Sequence, residues 1–139
     1  MNQNTIIHIA AAVIISPCNR ILLVRKRHSA YFMQAGGKIE QHETPIQALI
    51  RELNEELGLL FNSTDFEYWG EFLAQAANEA NHHVKAHLFA TILAEMTLMP
   101  QAELCEVGWY SITQTETLKL APLTKNIILP LIEKNKPTV

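Results

Sequence analysis

Cysteine is scarce in this chain. Cys18 and Cys105 are the only two among 139 residues, and they lie far apart. That spacing allows at most one disulfide, excludes a disulfide scaffold and fits two free thiols in a reducing compartment. Positive charge is also in short supply: 11 Lys and Arg against 14 Asp and Glu give a formal net charge of −3. A general binder of phosphate backbones usually carries a basic surface, so no nucleic acid polymer is expected as a partner. No apolar run approaches the roughly 20 residues of a membrane helix, and residues 1–20 have no basic leader region, so no membrane partner is expected. Repeats and low-complexity tracts are absent too. What is present is an ordinary globular mixture, 48% apolar and 18% charged. The expectation is one soluble, cytoplasmic domain over residues 1–139, a monomer or a homodimer.

The first apolar stretch, 6–15, is rich in small and β-branched residues and predicts a buried strand. Ser16-Pro17-Cys18-Asn19 is a turn signal, and 20–24 reads as the returning strand. Arg25-Lys26-Arg27 closes that strand, the segment to Met33 reads as a loop, and Gly36-Gly37 reads as a tight turn. From Thr44 the period changes. Ile46, Leu49, Ile50, Leu53 and Leu57 follow helical spacing, with Thr44 as N-cap, Pro45 in the first turn and Gly58 as the C-terminal stop. Strands are predicted over 66–74, 83–93 and 107–111, and a closing amphipathic helix over 124–134, bent at Pro130. Strands flanking one strong helix, with another helix at the end, predict a mixed sheet between helices, an α/β sandwich.

The polar side of the central helix carries the chemistry. Glu52 is three residues from Glu55 and four from Glu56, so the three carboxylates are expected to point toward one region, with Arg51 offsetting part of their repulsion. A solvated acidic helix face is the alternative reading. The preceding loop favours a site, because Glu43 and the glycine pair bring a further carboxylate and backbone carbonyls to the same place. Clustered hard oxygen ligands suit Mg²⁺, with Mn²⁺ a possible substitute.

The stretch Gly37-Lys38-Ile39-Glu40-Gln41-His42-Glu43, seven residues, then Arg51-Glu52-Leu53-Asn54-Glu55-Glu56-Leu57-Gly58-Leu59 resembles the Nudix box, G-x5-E-x7-R-E-U-x-E-E-x-G-U with U aliphatic. All nine fixed positions (Gly37, Glu43, Arg51, Glu52, an aliphatic residue, Glu55, Glu56, Gly58 and a second aliphatic residue) are satisfied within 37–59. The overall length is similar to that of the compact MutT-like members of that family. One departure is Ala35, where many MutT-like sequences have proline before the glycine pair; it removes no ligand but weakens a specific assignment as an oxidised-guanine triphosphatase.

The resemblance implies a Nudix-type α/β/α sandwich and Mg²⁺-dependent cleavage of a phosphoanhydride bond in a nucleoside diphosphate linked to a group X. It implies metal ligation by Glu52, Glu55, Glu56 and the carbonyl of Gly36, with Arg51 orienting a glutamate and Glu52 the first candidate for general base. MutT-like enzymes often add a glutamate from a later loop; Glu103 is preferred over Glu106 for that catalytic and metal-binding role. Arg25, Lys26 and Lys38 are candidate phosphate contacts, each with a solvated cation as the alternative. The favoured substrate is a small-molecule nucleotide, a nucleoside triphosphate; the alternative is ADP-ribose or a sugar nucleotide. A non-catalytic nucleotide-binding module on the same fold is disfavoured because no box glutamate is missing. His83, Lys85 and His87 share one face of a predicted strand and read as wall or surface residues, with a base-pocket lining as the alternative; Tyr31, Phe32, Trp69 and Phe72 read mainly as core, with stacking on a nucleobase as the alternative.

Overall fold

The structure is a computed structural model that describes residues 5–135. Its centre is strand β1 (Thr5–Ile15), which pairs in parallel along its whole length with β6 (His82–Ile92), from Thr5 opposite His82 to Ile15 opposite Ile92. A strand buried on both faces needs a continuous apolar run rather than alternation, and Ala10 to Ile15 are all buried. The other edge of β1 is shared. Near the hairpin it meets β2 (Ile21–Lys26), with Ile15 opposite Ile21; further back it meets the short strand β4 (Gly36–Lys38). The short strand β3 (Phe32–Met33) and β7 (Leu104–Tyr110) pair with β2, and β5 (Glu67–Gln75) pairs antiparallel with β6. The hairpin turn is held by Ser16, whose hydroxyl oxygen accepts from the amides of Cys18 and Arg20.

Two-residue alternation divides the sheet between two cores. Ala10, Ala12 and Ile14 of β1, Leu22 and Val24 of β2 and Phe89 of β6 face helix α1 (Pro45–Leu57), where they meet Ala48, Leu49, Leu53 and Leu57. Ala11, Val13, Ile15, Ile21 and Leu23 face the opposite way. They pack on Leu123, on Ile128 of the π-helical turn Thr124–Ile128, and on Ile132 of α3 (Leu129–Lys134). The expected mixed sheet between helices is therefore what forms.

Helix α1 begins and ends where the sequence predicts. Thr44 caps it: its hydroxyl accepts from the Gln47 amide, the Gln47 side chain accepts from the Thr44 amide, and Gly58 closes the helix in the left-handed region at φ 68°.

Several expectations are corrected. The glycine pair is not a turn but part of β4, drawn into extended backbone by pairing with Ala10 and Ala11 of β1. Residues 32–33 form β3 rather than loop. A short helix, α2 (Ile112–Thr115), follows β7, capped by Ser111 and Gln114. The closing helix is not a simple bent rod: the Leu129 amide bonds back to the Thr124 carbonyl, a π-type turn that leads into Pro130, which has no N–H to donate. Cys18 is exposed and Cys105 half-buried, and both are free thiols.

Candidate active site

Strand β4 and helix α1 meet at the two glycines, each of which is required for its own reason. Gly36 has φ 142°, and a Cβ there would lie 2.2 Å from the Ala10 carbonyl oxygen, so only glycine lets β4 lie this close to β1. A Cβ on Gly37 would lie 1.6 Å from the Glu52 carboxylate instead. The space it leaves is filled by Glu52. The Gly36 amide, at a position alternate to the Ala10–Gly37 and Ala12–Ala35 pairs, points away from β1 and donates to Glu56 Oε1 at 3.0 Å.

Glu56 does not lie on the solvated side of α1. It is buried, 4% exposed, beneath β4. Burial raises its pKa to about 7 against the opposing Gly36 hydrogen bond, with the Glu52 charge adding to the rise. Glu52 is also raised to about 7. Burial is the main cause, opposed by Arg51, with neighbouring Glu55 and Glu103 pushing it further up.

Arg51 organises the rim. Its guanidinium binds Glu43 through two hydrogen bonds of 2.7 and 2.9 Å, donates to Glu52 at 3.3 Å and to the Lys38 carbonyl at 3.2 Å, and lies 3.5 Å from Glu55. This bidentate geometry holds the Glu43 carboxylate at a pKa of about 2, helped by the Glu40 amide. The glutamate that Arg51 holds most tightly is thus Glu43, while Glu55 stays on the exposed edge. The prediction that Glu52, Glu55 and Glu56 point into one region holds only loosely. Among the described residues, no three acidic, histidine or cysteine side chains are gathered tightly enough to enclose an ion.

Glu103, on the loop before β7, is largely exposed and pairs with Lys26 at 3.7 Å, close enough for its charge to act on both Glu52 and Glu56. Lys26 shares the α1 side of β2 with Leu22 and Val24. Arg25, one residue earlier, faces the other side, where it pairs with Glu106 at 2.6 Å and donates to the Ser29 carbonyl. The two adjacent cations therefore cannot serve one phosphate group together. Lys38 is exposed at the end of β4, on the wall of a cleft that also includes Lys26, Gly36 and Gly37. The tyrosine, histidine and lysine of the β5–β6 face form a surface network: Tyr68 and Glu71 both contact His87, and Glu71 also meets Lys85. Phe32, Trp69 and Phe72 pack against the core, and Tyr31 lies under Lys119.

The sequence reading missed Gln34 and Thr124. They are buried beside the same cleft and hydrogen-bonded to each other across 90 positions, with no local pattern to announce them.

The donor set fits a divalent cation of the magnesium kind. Such an ion takes one or two carboxylates, keeps several waters and completes its shell with substrate phosphates, so an incomplete cage suits it. Glu56, buried, and Glu52, half-buried, are both pushed toward neutrality, and a cation would return such groups to the ionised form.

The family model described as the NUDIX domain matches residues 6–131. The 8-oxo-dGTP diphosphatase of Proteus vulgaris is 46% identical over 57 residues, which cover 38% of this chain and 51% of that protein. The chain spans about half the length of the curated relatives it matches first. Among solved structures, the MutT protein of Methanosarcina mazei Go1 superposes with a TM-score of 0.77 at 18% identity, covering 97% of this chain and 99% of that one. The NUDIX domain of Shewanella oneidensis NrtR, solved with ADP ribose, has a TM-score of 0.76 at 16% identity, covering 95% and 90%. These two likenesses support the fold. With a family match along nearly the whole chain and a complete box folded onto a glycine strand and one helix, the chain belongs to the Nudix family.

Proposed function

We propose that this chain is a Mg²⁺-dependent nucleotide pyrophosphohydrolase, with Mn²⁺ as a possible substitute, that splits a nucleoside triphosphate into a mononucleotide and pyrophosphate. The observation that carries this reading is the pair Glu52 and Glu56 gathered against a glycine strand, Glu52 filling the space a Gly37 side chain would take and Glu56 accepting from the Gly36 amide. Glu52, Glu55, Glu56, Glu103 and the Gly36 carbonyl are the groups that would hold the metal. When bound, divalent ions neutralise the diphosphate and acidify an attacking water. Glu52 receives the water proton, while Arg51 fixes the Glu52 carboxylate and latches Glu43 and the Lys38 carbonyl to the helix. Lys26 and Lys38 meet the phosphates at the cleft. Arg25 acts in that role only if its pair with Glu106 opens. The whole of 1–139 serves as one such domain, with the box at 37–59, in the cytoplasm.

The 8-oxo-dGTP diphosphatase relative favours a triphosphate substrate. The second reading, an ADP-ribose or sugar-nucleotide pyrophosphatase, draws on the neighbour solved with ADP ribose. A panel of nucleoside triphosphates, their oxidised forms, ADP-ribose and sugar nucleotides, assayed with Mg²⁺ and scored by product identity, separates the two. Glu56→Gln should slow the preferred reaction by about a hundredfold or more, roughly 2.7 kcal/mol of barrier. Cleavage of none of the panel, or an undiminished rate in the variant, overturns the assignment.

A further inference from the structure

Next to the glycine strand lies a cleft with a cavity volume of about 130 Å³. Its walls are largely apolar, from Ile7 and Ile9 of β1, Met33, Val84 of β6 and Leu123, with Gln75, Asn78 and Glu79 among the polar residues that also line it. Gly36, Gly37, Lys26 and Lys38 also line it, so it shares the glycine strand and the two candidate phosphate contacts with the proposed site. Clefts of this composition, with a few polar groups set in an apolar lining, are the usual form of small-ligand sites.

One polar group in this lining stands out. Gln34 is 6% exposed, and its carbonyl oxygen accepts a 2.7 Å hydrogen bond from the hydroxyl of Thr124, which is fully buried. The amide nitrogen at the other end has no partner, and it is the one buried side-chain polar atom left unsatisfied among the described residues. Leaving a buried amide donor unpaired is costly, so such an atom is a donor awaiting an acceptor. With the Thr124 hydroxyl donating to the amide oxygen, the N–H groups of Gln34 are left free for another partner.

We propose that Gln34, braced by Thr124, is a specificity-determining residue of this cleft: its amide donates to a carbonyl oxygen on the inserted edge of a nucleobase, selecting keto-bearing bases. The proposal rests on the nucleotide part of the reading above. A flat base fits between the Ile7, Ile9 and Val84 side and the Met33 and Leu123 side, with the phosphates directed toward Lys38 and the glycines. Guanine presents O6 as an acceptor. Adenine presents an amino group there instead, which sets two donors against each other and leaves both without a partner.

Binding of mononucleotides tests this without relying on turnover. The full chain is titrated calorimetrically, with MgCl₂ present, with GMP, AMP and the monophosphate of 2-aminopurine riboside, which keeps the guanine skeleton but lacks O6. GMP is expected to bind about tenfold or more tightly than either competitor, the size of effect expected from one lost buried hydrogen bond. In Gln34→Met, which keeps the length and loses the donor, the three ligands should bind within threefold of one another. If that variant does not fold, the comparison of GMP with the O6-less analogue in the unaltered protein still decides. So does the shift of the Gln34 side-chain amide resonances on adding GMP. Equal affinity for all three ligands, a preference for AMP, or no binding of any of them overturns the proposal. Cleavage of the substrate panel is scored separately: selective GMP binding with none of the panel cleaved refutes the hydrolase reading and leaves the role of Gln34 standing.

Discussion

Replacing Gly37 with alanine tests whether the glycine strand exists to make room for Glu52. Gly37 is not among the glycines with positive φ, so alanine adopts its backbone without strain. The added Cβ would lie 1.6 Å from Glu52 Oε2 and 2.6 Å from its Cδ, where ordinary contact begins at 3.4 Å. The carboxylate must therefore retreat by about 1.8 Å, the difference 3.4 − 1.6, and its 3.3 Å bond from Arg51 is disturbed with it. Because the clash falls on the end of a flexible side chain, the fold should survive; the loss of chain entropy in the unfolded state even favours alanine by about 0.4–1 kcal/mol. Misplacing a catalytic group by about 1 Å costs on the order of a hundredfold in rate, so kcat/KM should fall about a hundredfold or more while Tm stays near or above its starting value. The measurement is Mg²⁺-dependent hydrolysis of the best substrate beside urea unfolding of the same preparation. Gly36→Ala supplies the contrast: its Cβ meets the Ala10 carbonyl oxygen at 2.2 Å and Ala11 Cα at 2.9 Å, both backbone, at φ 142°, so it should lose stability by about 2 kcal/mol or more. A Gly37→Ala enzyme with activity within threefold of normal would refute the account of Glu52, and one that unfolds as readily as Gly36→Ala would refute the account of the strand.

Stability without metal should vary with pH in two opposite senses. Glu56 has a folded pKa raised from 4.5 to about 7, so its contribution is greatest below about 4.5 and is lost as pH rises toward 7; up to about 3 kcal/mol is at stake, and Mg²⁺ should restore it, as scanning calorimetry at pH 5 and 8 with and without the ion would show. Glu43 is lowered from 4.5 to about 2, so its contribution is present above 4.5 and disappears as pH falls toward 2; Glu43→Gln should remove that acid dependence in a urea titration. Arg51→Lys replaces a fork that makes two bonds to Glu43 with a single point charge, and should cost about 1–2 kcal/mol of stability together with at least a tenfold fall in kcat/KM. Arg25→Ala should leave KM for the nucleotide within threefold, since Arg25 faces the side of β2 away from Lys26 and is held by Glu106; a tenfold rise would show that the pair opens on substrate.

Local signals were read well wherever the chain itself specifies them. Thr44, Pro45, the apolar spacing and Gly58 delimit α1 through contacts made within a few residues, and the structure reproduces those limits. The turn at Ser16–Asn19 is equally local. What the sequence could not show depends on distant partners. Two glycines next to each other have every local property of a turn, and only the Ala10–Ala11 segment of β1, some 26 positions earlier, makes them a strand. Glu56 reads as one of three carboxylates on the polar side of the helix, yet α1 rotates it under β4, and its burial follows from where that strand lies. Ser111 and Gln114 were a capping box in plain view, and α2 was overlooked because four residues make no periodic pattern. The Gln34–Thr124 pair has no sequence signature at all.

The grip of Arg51 gives the spacing of the box a meaning in length. One guanidinium spans the Lys38 carbonyl at one end of a short loop and the Glu43 carboxylate at the other, while the helix that carries it starts immediately afterward. Chain added between those anchors would have to bulge outward or tear one of them loose, and with it the seat of Glu52. Added chain is therefore expected to be tolerated better in other connections, and this short loop behaves as a rigid gauge that sets how far the acidic helix stands from the sheet.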